Sequence, residues 1–436
     1  MRKLLMLGSS YGTVEMLRYA KSIGVYTIVT DYNEPEHSSG KQISDEYWMI
    51  STADIDALER KCREEGVDAV FSPVSEFNLD RNIELCRRLN LPFYCSEEAW
   101  HYSRNKRAFK DACIRNGVPV AEDYYLTDAL TQEELSQVRY PVVVKPNNLC
   151  GSKGVSFCYN QEELIAAYRY ARKLSADKTI IVERMLEGRG FTAHYVLAEG
   201  EIHQVNLIEE LVPDGCNGTY YTVDTSLTDC VERVMSEISP SVEKALKNIG
   251  CKEGFAWIEL ILDKDNRFYA LELGYRLGGD MVERTYPMVF KFNAYKWMVD
   301  LALGRKHTAS ELPPEQQHMP KACGCSYLLR SRKSTSIREI IGIEQALLIP
   351  GVSYTQMRQN GDSIKESLDA GVFTITAENP IEFCDKIRQI NDLVHIIDVD
   401  GDDILYRYDN YDHLMELYAR GTILQNADRS TIIEQS

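Results

Sequence analysis

The sequence predicts an α/β protein: an open parallel sheet first, then a two-part central region with antiparallel sheets, then a smaller α+β module. Three observations predict it. Residues 1–117 alternate short apolar runs with helical stretches, residues 118–305 hold hairpin-like strand pairs, and the chain restarts near residue 306 after a Pro-rich connection.

In the first region "KLLMLGS", "YTIVTD", "EYWMIST", "DAVFSP" and "LPFYC" read as five strands. Helices fit between them at "VEMLRYAKSIG", stopped by Gly24, and at "DIDALERKCREEG" and "FNLDRNIELCRRLN". Such a βαβ rhythm makes a parallel sheet, and those sheets bind ligands at the carboxyl ends of their strands. The loop "GSSYGT" sits at one such end, but its spacing is not G-x-G-x-x-G, because Ser10 stands where the middle glycine would approach a pyrophosphate. A tight turn or a small-substrate contact fits it better than a dinucleotide, although Asp31 ends the second strand where a ribose-binding acid would sit. In the central region, expected over 118–305 with a lid subdomain over about 123–185, "YPVVVKPNNLCGSKGVSF" joins a strand to a glycine-bearing loop. "ELIAAYRYARKLS" and "SVEKALKNIG" are helices, and "WIELILDKDNRFYALEL" is a hairpin. The last module, 306–436, contains a helix at "NPIEFCDKIRQIND" with Asn379 as N-cap and Pro380 as first residue.

Composition excludes several classes. A net charge of −17 with no basic run argues against a nucleic-acid partner. No apolar run reaches the roughly 20 residues of a membrane helix, and "MRKLLMLGSSYG" is too short in its apolar part for a signal peptide. The 12 Cys are scattered, which suits reduced thiols in a cytoplasmic protein.

The hairpin carries the chemistry. With Asp265-Asn266 as the central turn pair, Glu259 lies directly opposite Glu272. Two facing carboxylates with Cβ atoms ~5 Å apart repel, and Ile258, Leu260, Leu271 and Leu273 flank them. A divalent cation relieves that repulsion, and Mg²⁺ binds through one or two carboxylates plus substrate phosphates. The alternatives are solvated glutamates on an exposed hairpin, or a salt bridge to Arg276. Other residues suit a nucleotide. Lys145 ends the strand "VVVKP", Gly151 and Gly154 free the next loop to approach phosphate oxygens, Lys106 begins a helix, and "IIVERML" offers an apolar strand with Glu183.

In that order, "NK..FK.....GVP", "PVVVKP", the Gly-bearing loop, "VERMLEGRGFT" and "WIEL…LELGYRLGGD" resemble the ATP-grasp superfamily, whose members include biotin carboxylase, carbamoyl phosphate synthetase, D-alanine–D-alanine ligase and L-amino-acid ligases. The resemblance covers roughly residues 1–305, and more loosely the tail. It implies that Lys106 and Lys145 bind phosphate and that Cys150 to Ser156 form the lid loop, with Gly151, Ser152, Lys153 and Gly154 at the phosphates. It places Glu183 near the adenine amino group, lines the ring with the backbone of Arg184 and Leu186, gives the metal to Glu259 and Glu272, and sets Arg276 against an acyl phosphate or substrate carboxylate. There are two departures. Gly274 stands where many members carry a metal-binding Asn; the L-amino-acid ligases also lack that Asn while keeping the Arg, which favours that branch. Gly190 stands where relatives often carry a ribose-binding Glu, for which either Glu187 or water is the expected substitute.

The expected activity is therefore an ATP-dependent carboxylate–amine ligase that releases ADP, with ATP and Mg²⁺ (or Mn²⁺) as cofactors. The expected partners are a small-molecule carboxylate, an amine, and a second copy of the chain as a homodimer. The rivals are a carboxylase or carbamoyl-phosphate-type enzyme, for which no biotin-attachment "MKM" and no second copy of the unit is present, and a non-catalytic nucleotide-binding module. "LVPDGCNGTYYTVDTSL" (211–227) is expected either to line the acceptor pocket or to be a surface loop, with Tyr275 and Arg284 as further candidate contacts.

Overall fold

The computed structural model describes residues 1–149, 151, 153–214 and 221–434. β1 (Lys3–Leu7), β2 (Tyr26–Thr30), β3 (Glu46–Trp48) and β4 (Ala69–Phe71) form a parallel sheet in the order β3-β2-β1-β4. Leu4 and Met6 enter one core and Leu5 and Leu7 another, so helices cover both faces of the sheet. Helices Ile55–Glu65 and Glu76–Leu89 start where expected, because the Asp54 and Ser75 side chains accept hydrogen bonds from the Ala57 and Asn78 amides. "LPFYC" is not a fifth strand. Tyr94 there is buried, and its hydroxyl donates to the Tyr275 carbonyl at 2.6 Å, tying this segment to the central region.

β5 (Val142–Pro146), β6 (Ser156–Cys158) and β7 (Ile180–Arg184) make a small antiparallel sheet ordered β6-β5-β7. Its apolar face, Val142, Val144 and Val182, packs on Leu164, Tyr168 and Ala171 of helix Gln161–Leu174. The remaining strands are β8 (Gly188–Ala198), β9 (Glu201–Leu211), β10 (Val223–Thr225), β11 (Gly254–Asp263), β12 (Phe268–Gly274), β13 (Cys323–Arg330), β14 (Thr335–Ile341), β15 (Val352–Gln356), β16 (Ser363–Ile364), β17 (Asp369–Ala377) and β18 (His395–Asp398). Eight of them build one antiparallel sheet ordered β12-β11-β8-β9-β10-β13-β17-β15. The module expected from about residue 306 thus shares a sheet with the central region, joined where Asp224 of β10 pairs with Ser326 of β13. β16, β14 and β18 form a separate three-stranded sheet.

Among the described residues no helix is long and apolar enough to cross a membrane. The ten described cysteines are free, and all but Cys95 are buried.

Candidate active site

The two candidate metal acids do face each other, by a route the sequence did not show. Asp263 N donates to the Arg267 carbonyl at 3.0 Å, so the hairpin loop has three residues, Lys264, Asp265 and Asn266, with Asn266 left-handed at φ 63°. That turn shifts the register by one: Leu260 pairs with Ala270 rather than Leu271. A bulge then leaves Leu271 unpaired and restores Glu259 opposite Glu272. The bulge also turns Leu271 into the slot between the small and large sheets, which it lines with Ala270, Val120, Ile181, Lys110 and Glu183.

Charge balance at the pair is uneven. Lys106, the first residue of helix Lys106–Asn116, donates to Glu272 Oε1 at 2.9 Å and to the Leu149 carbonyl at 2.7 Å. Burial first, then Glu272 and Glu210, push Glu259 up to about 8. Glu259 is the carboxyl in want of a cation. Among the described residues no third His, Cys, Asp or Glu completes a metal-holding group, which suits an ion that takes its other ligands from phosphate and water. The donor set fits Mg²⁺.

Lys145, 9 % exposed at the end of β5, forms an ion pair with Glu183 Oε1. Burial alone would lower the lysine, but Glu183, Glu272 and Glu259 hold it above its ordinary value. The other oxygen of Glu183 takes Lys110 Nζ at 2.5 Å. Burial opposes ionisation of Glu183, and the two lysines overcome it, holding Glu183 down to about 2. Glu183 therefore aims both lysines at the slot. Sequence reasoning missed Lys110, which reads as one more polar residue on an amphipathic helix.

Arg184 is held at the rim by Asp263 at 2.7 Å, and its backbone N–H donates to the Glu122 carbonyl at 2.8 Å, so that amide is not directed at a purine. Leu186 is half-buried beside it. Glu187 pairs with Lys264 on the hairpin turn at 2.5 Å. At Gly190 an added Cβ would lie 2.8 Å from Glu210 Oε2, so the neighbouring strand fills that space with its own carboxylate. Of the lid loop, Gly151 (φ 62°) is open, Lys153 is exposed, and Gly154 (φ 80°) folds against Pro146 and Leu174; Cys150 and Ser152 lie outside the described residues.

Gly274 has a steric reason. A Cβ there would meet the Trp257 indole at 2.0 Å, so no asparagine fits. The Arg276 guanidinium lies over that indole, 5.0 Å from its centroid, and pairs with Glu76 at 3.1 Å. The Arg276 ion pair is with Glu76, and Glu272 takes Lys106 instead. Tyr275 is a core residue, its hydroxyl donating to the Glu253 carbonyl, and is no substrate contact. Arg284 pairs with Glu15 and donates to Thr355 Oγ1 at 2.5 Å. In the "GSSYGT" loop Gly8 and Gly12 are left-handed and packed on Asn78 and Tyr295, and Asp31 is buried against Lys41 at 2.9 Å, so Asp31 is not free for a ribose.

Residues 117–279 match the family described as D-ala D-ala ligase C-terminus. The chain is 23 % identical over 338 residues to the mitochondrial methylcrotonoyl-CoA carboxylase subunit alpha of Dictyostelium discoideum, covering 73 % of this chain and 46 % of that protein. It is 27 % identical over 186 residues to the D-alanine–D-alanine ligase of Prochlorococcus marinus (strain AS9601), covering 40 % of this chain and 49 % of that one. The chain spans about half the length of these curated relatives. The solved L-amino acid ligase from Bacillus licheniformis superposes with a TM-score of 0.76 at 20 % identity, over 91 % of this chain and 98 % of that one. The biotin carboxylase domain dimer of Hydrogenobacter thermophilus 2-oxoglutarate carboxylase, solved with MgADP, ADP and bicarbonate, gives 0.74 at 17 %, over 91 % of each chain. The chain has the ATP-grasp fold, and its residues 117–279 match the D-ala D-ala ligase C-terminal family.

Proposed function

We propose that the protein is an ATP-dependent carboxylate–amine ligase that uses Mg²⁺. The observation that carries this reading is the facing Glu259–Glu272 pair, set between Lys106 and Lys145 at the mouth of the Glu183-lined slot. A substrate carboxylate oxygen attacks the γ-phosphorus of ATP, and the bond to the ADP oxygen breaks. The amine nitrogen then attacks the acyl carbon, the bond to phosphate breaks, and the nitrogen loses its proton. Glu259 and Glu272 would hold Mg²⁺, which when bound would supply charge neutralisation at the phosphates. Lys106 and Lys145 add positive charge for the phosphates, and the Arg276 fork steadies the carboxylate or acyl phosphate. The lid loop with Lys153 excludes water that would hydrolyse the intermediate. A cytoplasmic homodimer is the assembly in which we expect it. Steady-state ADP release, screened over carboxylate and amine pairs, tests the reading: release that requires both substrates supports it, and none with any pair refutes it.

Lys145→Ala should weaken ATP binding roughly ten- to a hundredfold, the worth of a hydrogen bond to a charged group. It should also lower the melting temperature, because Glu183 keeps only Lys110. Unchanged affinity by calorimetry would make Lys145 structural only.

The Glu259 value sets a pH dependence. Below about 8 the free carboxyl holds a proton that the cation must displace. Mg²⁺ affinity should therefore fall about tenfold per pH unit below that value, with proton release on binding. The native carboxyl also outbinds the unfolded one for protons, so its contribution to metal-free stability is present at low pH. That contribution is lost as pH rises from 4.5 through about 8. Calorimetry in two buffers of different ionisation enthalpy reads the proton count; none released at neutral pH would contradict the assignment.

A further inference from the structure

The metal pair has a neighbouring row on its own face of the sheet, and that row supplies no oxygen. Trp257 and Glu259 are two apart on β11, and Gly274 and Glu272 are two apart on β12, so the four positions share one face. Glu259 lies opposite Glu272, and Trp257 lies opposite Gly274. A ligand carried at position 274 would reach an ion from beside Glu272. That space is taken. An added Cβ at Gly274 would overlap the ring atoms Cδ2, Cε2 and Cζ2 of Trp257, which is 8 % exposed. The ring is held where it is: the Arg276 guanidinium stacks 5.0 Å from its centroid and is itself paired with Glu76 at 3.1 Å. Next in the row comes His194, opposite Trp257 and buried against Phe255 and Tyr286. It offers nitrogen where Mg²⁺ takes oxygen.

The acids themselves are partly committed. Two divalent ions at a phosphoryl-transfer centre sit about 3.5–4 Å apart. Ions that close need a carboxylate able to give one oxygen to each. Glu272 is the acid nearest position 274, but its Oε1 accepts from Lys106 Nζ at 2.9 Å. Lys106 is fixed in turn by the Leu149 carbonyl at 2.7 Å. Glu259 also has positive company, because Lys106 and Lys145 both act on it. These ammonium groups already bring charge of the kind a second ion would add. On the other flank Thr192, opposite Glu259, donates its hydroxyl to Glu210 Oε1 at 3.2 Å. Among the described residues no three of His, Cys, Asp and Glu form a group that could hold an ion. One Mg²⁺ completes its shell from two carboxylates, phosphate oxygens and water. Two cannot be shared out from a pair in which one oxygen is bound to a lysine and the adjoining place is filled by a ring.

We propose that the chain holds a single divalent ion per nucleotide, with the Trp257 ring closing the place of a second. The inference rests on the ligase reading for its assignment of Glu259 and Glu272 to the metal. Positive charge beyond the one ion then comes from Lys106, Lys145 and Arg276, which do not dissociate. ADP release should therefore saturate at one Mg²⁺ per ATP and gain nothing from free Mg²⁺ above that. Residue 274 stays Gly for as long as residue 257 is Trp, so the two positions set the ion count together.

The test counts ions on the full chain, with Mn²⁺ as the probe, a non-hydrolysable ATP analogue present, and protein in slight excess over nucleotide. Electron paramagnetic resonance reads both the number bound and their spacing, because two Mn²⁺ about 4 Å apart couple magnetically. Wild type should bind one Mn²⁺ per chain and show an uncoupled spectrum. Two bound, coupled ions overturn the proposal. Trp257→Ala combined with Gly274→Asn opens the place and supplies an amide oxygen, so it should take up a second ion and show the coupled spectrum. The same variant, melting cooperatively yet still holding one ion, overturns the role given to the ring. If that variant fails to fold, the wild-type count decides alone. Two ions with ADP release intact overturn the single-ion site and leave the ligase reading. One ion without ADP release from any substrate pair does the reverse. No bound ion in wild type overturns both the single-ion site and the metal assignment beneath it.

Discussion

Glu272→Gln should abolish ATP turnover while the fold survives. The change removes one of two negative charges from the metal site, and metal charge neutralisation is worth several kcal/mol in phosphoryl transfer. At about 1.4 kcal/mol per tenfold, a loss on the order of a thousandfold in kcat follows. Stability should move little, because two effects oppose. Lys106 loses its ion pair with Glu272, which is partly exposed, while the repulsion that helps raise Glu259 disappears. Mg²⁺ affinity should drop with kcat, and proton release on metal binding should shrink because Glu259 then titrates lower. Turnover near wild type, measured by ADP release at saturating Mg²⁺, would remove the metal assignment. Loss of turnover with a large fall in melting temperature would instead make Glu272 a structural partner of Lys106.

Arg276→Lys separates a ligase from a passive nucleotide binder. The guanidinium is stacked on Trp257 and anchored by Glu76 at the start of helix Glu76–Leu89, which fixes its plane. A planar fork can hold a carboxylate or acyl phosphate with two parallel hydrogen bonds; a lysine ammonium cannot. ATP affinity should stay close to wild type while ligation falls by about 2–4 kcal/mol of transition-state stabilisation, a range set by the loss of other oxyanion donors. The competing account keeps Arg276 as counter-ion to Glu76. On that account melting temperature, nucleotide affinity and turnover fall together. Measuring all three on one preparation decides, and equal losses in affinity and turnover would end the catalytic role.

How much of this was legible in the chain depends on the range of the interaction that sets each feature. The parallel first sheet, the capped helices and the existence of the 254–274 hairpin follow from local periodicity and turn chemistry, and they were read correctly. The Glu259–Glu272 pairing was also read correctly, but through an incorrect turn. A two-residue loop was expected, whereas the chain makes a three-residue loop at Lys264–Asn266 and corrects the register with a bulge at Leu271. No pattern in the sequence distinguishes the two, because both bring the glutamates together. "LPFYC" has the composition of a strand, yet tertiary contacts of Tyr94 with Tyr275 and Phe71 hold it as an irregular segment. The absence of an asparagine at Gly274 was visible, but its cause, the Trp257 ring, comes from the neighbouring strand. Lys110 was missed because its partner Glu183 lies 73 residues away. Long-range pairing of this kind leaves no local mark, and a buried lysine on a helix reads like a surface one.

The central claim is that a carboxylate oxygen of the substrate passes to phosphate during ligation. The measurement that tests it most directly is the isotope content of the phosphate released when ATP, Mg²⁺ and carboxylates labelled with ¹⁸O are turned over together with amines. The account predicts one labelled oxygen in each phosphate formed, because the acyl–oxygen bond breaks when the amine attacks. Phosphate free of label, at a measurable rate of ADP release, would contradict it.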